Sequence, residues 1–570
     1  MDYVILPGMV REGMTSSVLP DDVETLKQLL IEKNTIIAEK DATICGKDTF
    51  IGELEKLNEL LSEQVTLLRK YRFARSSERW TDEDRRQQRL FDEAEEGVFR
   101  LTAAIEPETE RISYTRKKGK KGRKPLPDDL PRTVIVHELS QEERRCRNEG
   151  CSRYGSCAKC RPVIGEESRE ELEFIPAQIM VKHHVYRKYG EIECEEFEAD
   201  ESQPGVIAAP REKRIVTGGI VTASLLSQIV VSKFADALPF YRQERIFARI
   251  GIRISRQNMC NWTIQASRAC DRYLDLLRRK IREGPLINMD ETSLQVLNEP
   301  NRPADSKSFM WVMVGTQHEG HRVVLYTYSP RRDGEMAESL LKGYRGALQT
   351  DGYSGYNSVG GWDGIWHVGC TLHSRRKFFE AHVGAQKKGQ AKTGLNYIKG
   401  LYRIEHELRD AELPDNEFVV ARRKAAAPVL RKFKKWLEGM VKTVPPQSLL
   451  GQAVYYTVSE YKRLVRYLKY AYLTPDNNVA EQAIKPFAVG RKNWLFNNTP
   501  LGAHASAAMF SLVESAKANN LDPFHFMYRL FEELPQADTE EKLEKLLPWN
   551  MTGIPKKVKK VSLIIRYFTY

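Results

Sequence analysis

The first polar and hydrophobic pattern along the chain is a heptad repeat over residues 22–70. Position a is apolar and mostly β-branched, apart from one Asn, a pattern that favours two strands in a fixed register. We therefore predict a coiled coil that dimerises the chain, although an amphipathic helix packed within its own chain has a similar pattern. The row at position a consists of Leu30, Ile37, Ile44, Ile51, Asn58 and Val65.

Residues 205–283 follow a helical period and are rich in basic side chains. A helix before Gly251 is followed by Ser255, a good N-cap for a second helix. This plan is that of a helix-turn-helix, in which the start of the second helix reads base edges. Any two-helix hairpin looks similar, so the DNA-binding role is one of two interpretations. The residues predicted to contact bases are Arg256, Gln257 and Asn258.

Strand-like apolar runs begin at Leu286 and define a predicted core over residues 284–500. Three strands, a helix, a strand with an acid at its end and a fifth strand follow in that order. This is the order of a ribonuclease H-like fold, a mixed sheet with helices on its faces. A helical insertion is expected over residues 380–470. The predicted strands span residues 286–292, 309–314, 323–328, 347–350 and 365–368, and the helix spans 335–343.

Three acids occupy distinctive places in this core. Asp290 lies inside the first strand and Asp351 at the end of the fourth. Polar capping residues after Pro475 predict a helix with Glu481 in its second turn and Lys485 on the same face. A surface ion pair is the simplest interpretation of those last two residues. Three converging carboxylates, however, would repel one another and suit Mg²⁺ or Mn²⁺, so we predict a site for two such ions.

Many soluble proteins are mildly basic, whereas clustered basic residues would point to nucleic acid. The net charge is +12, and 29% of the 570 residues are charged. No run of 18 apolar residues predicts a membrane span, and the N-terminus lacks a signal-peptide pattern, so we expect a cytoplasmic protein. Within residues 71–130, Arg75 and a basic arm are predicted to contact phosphates, although a solvated linker has the same composition. The basic arm consists of Lys117, Lys118, Lys120, Lys121, Arg123 and Lys124.

Four of the nine cysteines fall close together within a predicted module of residues 131–200. A Cys-x2-Cys pair with two further thiols nearby is more typical of a zinc site than of disulfides in a chain of this size. His137 or Cys194 could replace one ligand, and a loop with free thiols is the alternative. The predicted structural Zn²⁺ ligands are Cys146, Cys151, Cys157 and Cys160.

Five longer motifs are more specific than any single residue. They are MDET at 289–292, LQTDGYSGYN at 348–357, GCTLHSRRKF at 369–378, PDNNVAEQA at 475–483 and GRKNWLF at 490–496. With the N-terminal zipper, the basic arm and the cysteine module in the same order, the sequence resembles DDE transposases of the insertion-sequence-66 family of bacterial mobile elements. The resemblance covers nearly the whole chain.

The resemblance implies that Asp290, Asp351 and Glu481 form the catalytic triad. It implies binding to double-stranded DNA, at the element's terminal inverted repeats, and small accessory proteins as partners. A bacterial, nucleoid-associated location follows from the same likeness. Basic residues near the expected site could hold phosphates, with a helix cap and surface charge as the alternative. These residues are His373, Arg376, Lys377, Lys485, Arg491 and Lys492.

The sequence thus predicts a multidomain α+β protein that ends in a helical segment and a basic tail over residues 501–570. We expect a transposase that cuts 3′ ends and transfers them to target DNA. Two alternatives differ from it in chemistry. A domesticated transposase acting as a repressor would bind DNA without cutting, and a metal-dependent nuclease of the same fold would cut without joining.

Overall fold

The computed structural model of the protein describes residues 22–73, 179–189, 207–209, 211–385 and 389–555. The chain divides into two units, residues 1–106 with 211–570 and residues 107–210. In the second unit, a short antiparallel pair forms between strands β1 (Lys188–Tyr189) and β2 (Ile207–Ala208). Most of the predicted zinc-binding module lies outside the described residues and stays a prediction.

The heptad region forms one long α-helix, α1 (Val23–Phe73). Its position-a side chains remain exposed, with Ile37 and Ile44 each at 55% of their full accessible surface. Burial of apolar side chains away from water stabilises a protein, so this exposed row is suited to packing against a partner. The helix is confirmed, and its pairing with a second copy stays a prediction.

Four consecutive helices lie directly before the sheet in the described chain, and two of them have the predicted hairpin arrangement. The turn between these two contains Gly251 at a φ of +91°, a conformation that glycine adopts without strain. Ser255 caps the following helix by accepting a hydrogen bond from the N–H of Asn258 at 3.2 Å. The four helices are α2 (Ala223–Phe234), α3 (Phe240–Arg249), α4 (Arg256–Ala269) and α5 (Asp271–Glu283).

A mixed five-stranded sheet forms the centre of the first unit, with strand order β5-β4-β3-β6-β7. The first three strands pair antiparallel, whereas β6 and β7 run parallel to β3. The predicted order of strands and helix along the chain and the α+β class are therefore confirmed. The strands are β3 (Leu286–Gln295), β4 (Lys307–Thr316), β5 (Arg322–Ser329), β6 (Gly346–Gln349) and β7 (Ile365–Val368), with helix α6 (Gly334–Leu341) between β5 and β6.

A helical insertion separates β7 from the last part of the core. Its four helices bury the guanidinium of Arg422, which is 0% exposed and pairs with Glu405 at 2.7 Å. A buried cation needs such a partner together with further hydrogen bonds. Arg422 donates to the carbonyls of Tyr467, Tyr470, Ala471 and Leu473. The helices are α7 (Thr371–Gly384), α8 (Ala391–Asp410), α9 (Asp415–Val441) and α10 (Leu449–Leu464).

Four further helices complete the described chain after the insertion. A largely buried helix, α12, packs along the sheet, as the small apolar residues of this stretch predict. Within the part of the chain that the structure describes, none of the helices combines the length and apolar character needed to cross a bilayer. The four helices are α11 (Asn478–Trp494), α12 (Pro500–Ala518), α13 (Pro523–Glu533) and α14 (Glu540–Lys545).

Polar residues of α12 satisfy the main-chain amides of the edge strand β5. Residues four apart on a helix repeat about every 6 Å, and alternate residues of a strand repeat about every 6.8 Å, so the two rows stay aligned. The matched pairs are Tyr326 N–H to Ser511 Oγ (2.8 Å), Val324 N–H to Ser515 Oγ (2.9 Å) and Arg322 N–H to Asn519 Oδ1 (3.2 Å).

Replacing Ser511 and Ser515 together by Ala tests this serine row. Each change leaves a buried amide without a partner, which costs about 1–3 kcal/mol. We expect the double variant to show a lower free energy of unfolding in urea. The matched control is Ser506→Ala on the same helix, because that hydroxyl donates to Gly502 within α12. Equal losses in the two proteins would contradict the role of the row.

Candidate active site

Strands β3 and β6 place two of the predicted acids side by side. Their parallel pairing puts Asn288 opposite Gln349, and the two side-chain amides are hydrogen bonded at 3.3 Å. Asp290 and Asp351 each follow two residues later, and residues two apart on an extended chain share a face. The two aspartates therefore continue the same row of side chains, at the carboxyl end of the parallel pair.

Helix α11 brings Glu481 to this row through the asparagine that precedes it. The Asn477 side chain is buried, donates to the Met289 carbonyl at 2.7 Å and accepts from Asn288 at 2.9 Å. Asn477 occupies the N-cap position, but its side chain makes no capping bond. Because α11 starts directly after it, Glu481 lies in the first turn and not in the predicted second turn.

Main-chain amides orient both aspartates. Oδ1 of Asp290 accepts from the N–H of Glu291 at 2.8 Å. Oδ1 of Asp351 accepts from the N–H of Tyr353 at 3.0 Å, within the glycine-rich turn after β6. Each carboxylate is thus held in place through one of its two oxygens.

The charges of these acids act on one another. Burial raises the pKa of Asp290 well above its usual range, and the negative charges of Glu291, Asp351 and Glu481 raise it further. Removing a carboxylate from water disfavours its charged form, and nearby like charges add to this effect. A cation among the acids would relieve the repulsion.

The donor set fits hard divalent cations. Mg²⁺ and Mn²⁺ prefer carboxylate oxygens and retain several waters, so three acids from separate elements are a suitable ligand set. After burial, the charges of Glu291, Asp351 and Glu481 are the next causes of the raised pKa of Asp290, and this negative charge favours such ions. Asp290, Asp351 and Glu481 are the residues that would hold them.

A fourth acid, Glu291, was not predicted as part of the site. Its side chain is 1% exposed and pairs with Arg332, whose Nη2 lies 2.5 Å from Oε1. The Tyr356 hydroxyl also donates to Glu291. The guanidinium of Arg332 stacks on the Tyr353 ring, 4.0 Å from its centre. Glu291 therefore holds the turn that carries Asp351. In the sequence, the feature that could have identified Glu291 as a site residue is its position beside Asp290 in an apolar strand.

Three side chains of the insertion surround Glu481. Oε1 of Glu481 lies 3.9 Å from both Cys370 Sγ and His373 Nδ1, and Oε2 lies 3.8 Å from Arg376 Nη2. Burial lowers the pKa of His373 to about 4, and the Arg376 guanidinium contributes to this shift. The imidazole is therefore neutral at pH 7. The structure thus brings His373 and Arg376 to the acids, whereas Cys370 was not predicted to be part of the site.

The other predicted basic residues lie in varied surroundings. The ammonium of Lys377 lies 5.2 Å from the centre of the Tyr456 ring. Arg491 donates to the Ser293 hydroxyl at 3.0 Å and so ties α11 to β3. Lys485 is half-buried and Lys492 is exposed. Their contacts with DNA stay predictions.

The start of α4 is exposed at all three positions predicted to read bases: Arg256, Gln257 and Asn258. A cavity of about 460 Å³ opens beside the first two of these side chains. Its wall includes Lys233, whose ammonium lies 3.9 Å from the centre of the Trp494 ring. Burial lowers the pKa of this lysine to about 8. The cavity is thus lined both by the predicted DNA-reading helix and by the end of α11.

Two groups of predicted site residues lie outside the described residues. The first comprises the basic positions Arg75, Lys117, Lys118, Lys120, Lys121, Arg123 and Lys124. The second comprises the zinc ligands Cys146, Cys151, Cys157 and Cys160 with the alternative Cys194.

Comparisons with protein families cover most of the chain. Residues 218–505 match the family model described as "Transposase IS66 family". Residues 60–135 match "Transposase C of IS166 homeodomain", and residues 511–549 match "IS66 C-terminal element". The first match spans the sheet, the three acids and the insertion.

Two relatives come from Sinorhizobium fredii (strain NBRC 101917 / NGR234). The uncharacterized protein y4jD is 31% identical over 436 residues, which cover 75% of this chain and 81% of the relative. The uncharacterized protein y4qI is 27% identical over 553 residues, which cover 93% of this chain and 97% of the relative. Together with the match over residues 218–505, these similarities show that the chain belongs to the IS66 family of transposases, proteins of DNA transposition.

Proposed function

We propose that this transposase uses Asp290, Asp351 and Glu481 to cut the 3′ ends of its element and join them to target DNA. The supporting observation is that three acids far apart in sequence lie close enough for their charges to raise the pKa of Asp290. Two Mg²⁺ or Mn²⁺ ions held there would activate the attacking oxygen and stabilise the leaving one. The strand order supports a ribonuclease H-like core.

The chain's own residues orient the acids and bind the DNA backbone. The Asn477 side chain fixes the start of α11, and main-chain amides fix both aspartates. The guanidinium of Arg376 lies 3.8 Å from Glu481, and such a planar group can bind two phosphate oxygens at once. Arg376 is therefore the side chain placed to hold the phosphate that is cut. The neutral His373 beside it can donate a hydrogen bond to the same group.

Recognition of the element's ends is assigned to α4 and to the basic arm. The exposed side chains at the start of α4 are free to enter a major groove, where base edges differ between sequences. Contacts to phosphates from Lys485, Lys492 and the basic arm would set the register of the DNA without reading its sequence. Both inverted repeats and target DNA are double-stranded partners in this proposal.

Pairing of two α1 helices would bring two protomers, and so two element ends, together. The exposed apolar row supports this pairing, because a single chain leaves it in water. The cysteine module is proposed to bind a structural Zn²⁺, and small proteins of the same element are proposed partners. We further propose that the protein acts in the bacterial cytoplasm, at the nucleoid.

Strand transfer of a pre-cut DNA that carries the element's own end tests the triad. In Mg²⁺, we expect Glu481→Gln to lower the yield of joined product by roughly 1,000-fold, the scale of losing one electrostatic catalytic group. Glu299→Gln is the matched control, because this glutamate is equally buried but pairs with Arg302 in the connection between β3 and β4. The control should join DNA like the wild type.

The products separate the proposed function from its two alternatives. A repressor binds the ends but never nicks them, even in Mn²⁺. A nuclease nicks the ends without forming a joined product. Joining that persists in Glu481→Gln would remove Glu481 from the site.

Asp290→Asn tests the repulsion among the acids. The pKa of Asp290 is higher in the folded than in the unfolded protein, so the folded state retains its proton longer. Stability should therefore fall as pH rises above the unfolded value of 3.8, by at most about 1.4 kcal/mol per pH unit for this group. Asp290→Asn removes this loss.

The measurement is urea unfolding of both proteins in a chelator, from pH 5 to pH 8. We expect the wild type to lose stability more steeply than Asp290→Asn, and Mg²⁺ to raise the Tm of the wild type alone. If the free energies of unfolding of the two proteins changed with pH in the same way, the charge of Asp290 would not destabilise the folded state.

Charge in the apolar row of α1 tests dimerisation. The double substitution Ile37→Glu, Ile44→Glu places like charges at neighbouring a positions, where a two-stranded coil needs apolar contact. We expect light scattering after size-exclusion chromatography to report a monomer. The control, Thr35→Glu with Ala42→Glu, adds the same charge at outward heptad positions and should stay dimeric. A wild-type monomer would contradict the proposal directly.

A further inference from the structure

Glu481 faces a second group of ligand atoms on the side of the insertion. Cys370 precedes the first residue of α7, and His373 lies in the first turn of that helix. The Cys-x2-His spacing therefore puts a thiol and an imidazole next to each other. Together with a carboxylate oxygen of Glu481, their ligand atoms all lie within 4.8 Å of one another. Among the described residues, this is the one group of three acidic, thiol or imidazole side chains whose ligand atoms lie so near to one another.

The surroundings of these atoms favour a ligand. Nδ1 of His373 is buried and has no hydrogen-bond partner, although it faces Glu481 at 3.9 Å. The Cys370 side chain is 2% exposed, and its Sγ accepts the main-chain N–H of Asn477 at 3.3 Å. A thiolate is the form that binds metals, and a bound cation is needed to favour it here, because burial and the charges of Glu481 and Asp476 raise the pKa of the Cys370 thiol. A buried nitrogen without a partner is costly, and a metal bond would satisfy it.

We propose that Cys370, His373 and Glu481 form a second metal site, which takes Zn²⁺. One sulfur, one nitrogen and one oxygen are ligands that zinc accepts, whereas Mg²⁺ avoids thiolate and imidazole. Around a tetrahedral zinc, ligand atoms lie about 3.5 Å apart, so pairs of ligand atoms in this group need to approach by about 1.3 Å at most. Three protein ligands leave the fourth position to a water molecule or a phosphate oxygen.

Occupation of this site has a consequence for the reaction, which rests on the proposed function. Zinc bound to Glu481 withdraws that carboxylate from the ions between Asp290 and Asp351. On binding, the Cys370 thiol gives its proton to solvent, and no electron is transferred. Low concentrations of Zn²⁺ should therefore inhibit joining in the presence of excess Mg²⁺, and a chelator selective for zinc should restore it.

Cobalt substitution tests the site without DNA. The full-length protein is stripped of metal, titrated with Co²⁺ and observed by absorption, since a thiolate bound to cobalt gives a charge-transfer band. The predicted cysteine module contributes equally to all variants. We expect Cys370→Ser and His373→Gln each to bind one ion fewer per chain than the wild type, because neither residue belongs to the site of Asp290 and Asp351. Cys260→Ser is the control, because this half-buried thiol lies on α4, outside the group. It should bind as the wild type does.

Circular dichroism of each variant shows whether it folds, and His373→Gln tests the site if Cys370→Ser does not fold. Equal cobalt binding and equal spectra in the wild type and in the folded variants would overturn the site. The proposed function is tested separately, by joining in Mg²⁺ alone. If Cys370→Ser loses the cobalt signal but the wild type does not join DNA, the zinc site stands and the transposition mechanism is rejected.

Discussion

The arrangement of the acids depends on three buried amide side chains that hydrogen bond across the sheet. Asn288 of β3 contacts Gln349 of β6 and Asn477 before α11, and Gln349 donates to the Thr474 carbonyl at 2.8 Å. Amide groups have directional donors and acceptors, so each bond also fixes an orientation. Because these bonds join three elements that are distant in sequence, the positions of Asp290, Asp351 and Glu481 are set by the same cluster.

The helical insertion supports this cluster from the other side. Arg422 and Arg409 donate to main-chain carbonyls of residues 467–473, the segment that leads into α11. A guanidinium with several carbonyl partners is a rigid anchor, because moving the segment would leave a buried charge unsatisfied. The insertion and the start of the helix with Glu481 are thus expected to move together. If the insertion contacts DNA, a shift of the insertion would therefore also shift Glu481.

The strands and the two aspartates could be predicted from the sequence because their signals are local. Apolar runs define β3 to β7, and Asp351 follows directly where β6 ends. Glu481 was found through the capping residues before α11, although the Asn477 side chain bonds to β3 and does not cap the helix. The pairing of Glu291 with Arg332 and the approach of Cys370 to Glu481 were not predicted. Both depend on contacts between distant segments, for which a single sequence contains no periodic pattern.

The serine row of α12 has a consequence for how copies of this protein can meet. A strand at the edge of a sheet normally offers its free amides to any passing chain, which leads to aggregation. In β5 those groups already have partners on α12, so this edge cannot recruit a strand from a neighbour. If several protomers gather on one DNA molecule, as proposed, their local concentration would be high. The covered edge at β5 would then help them remain separate folded units.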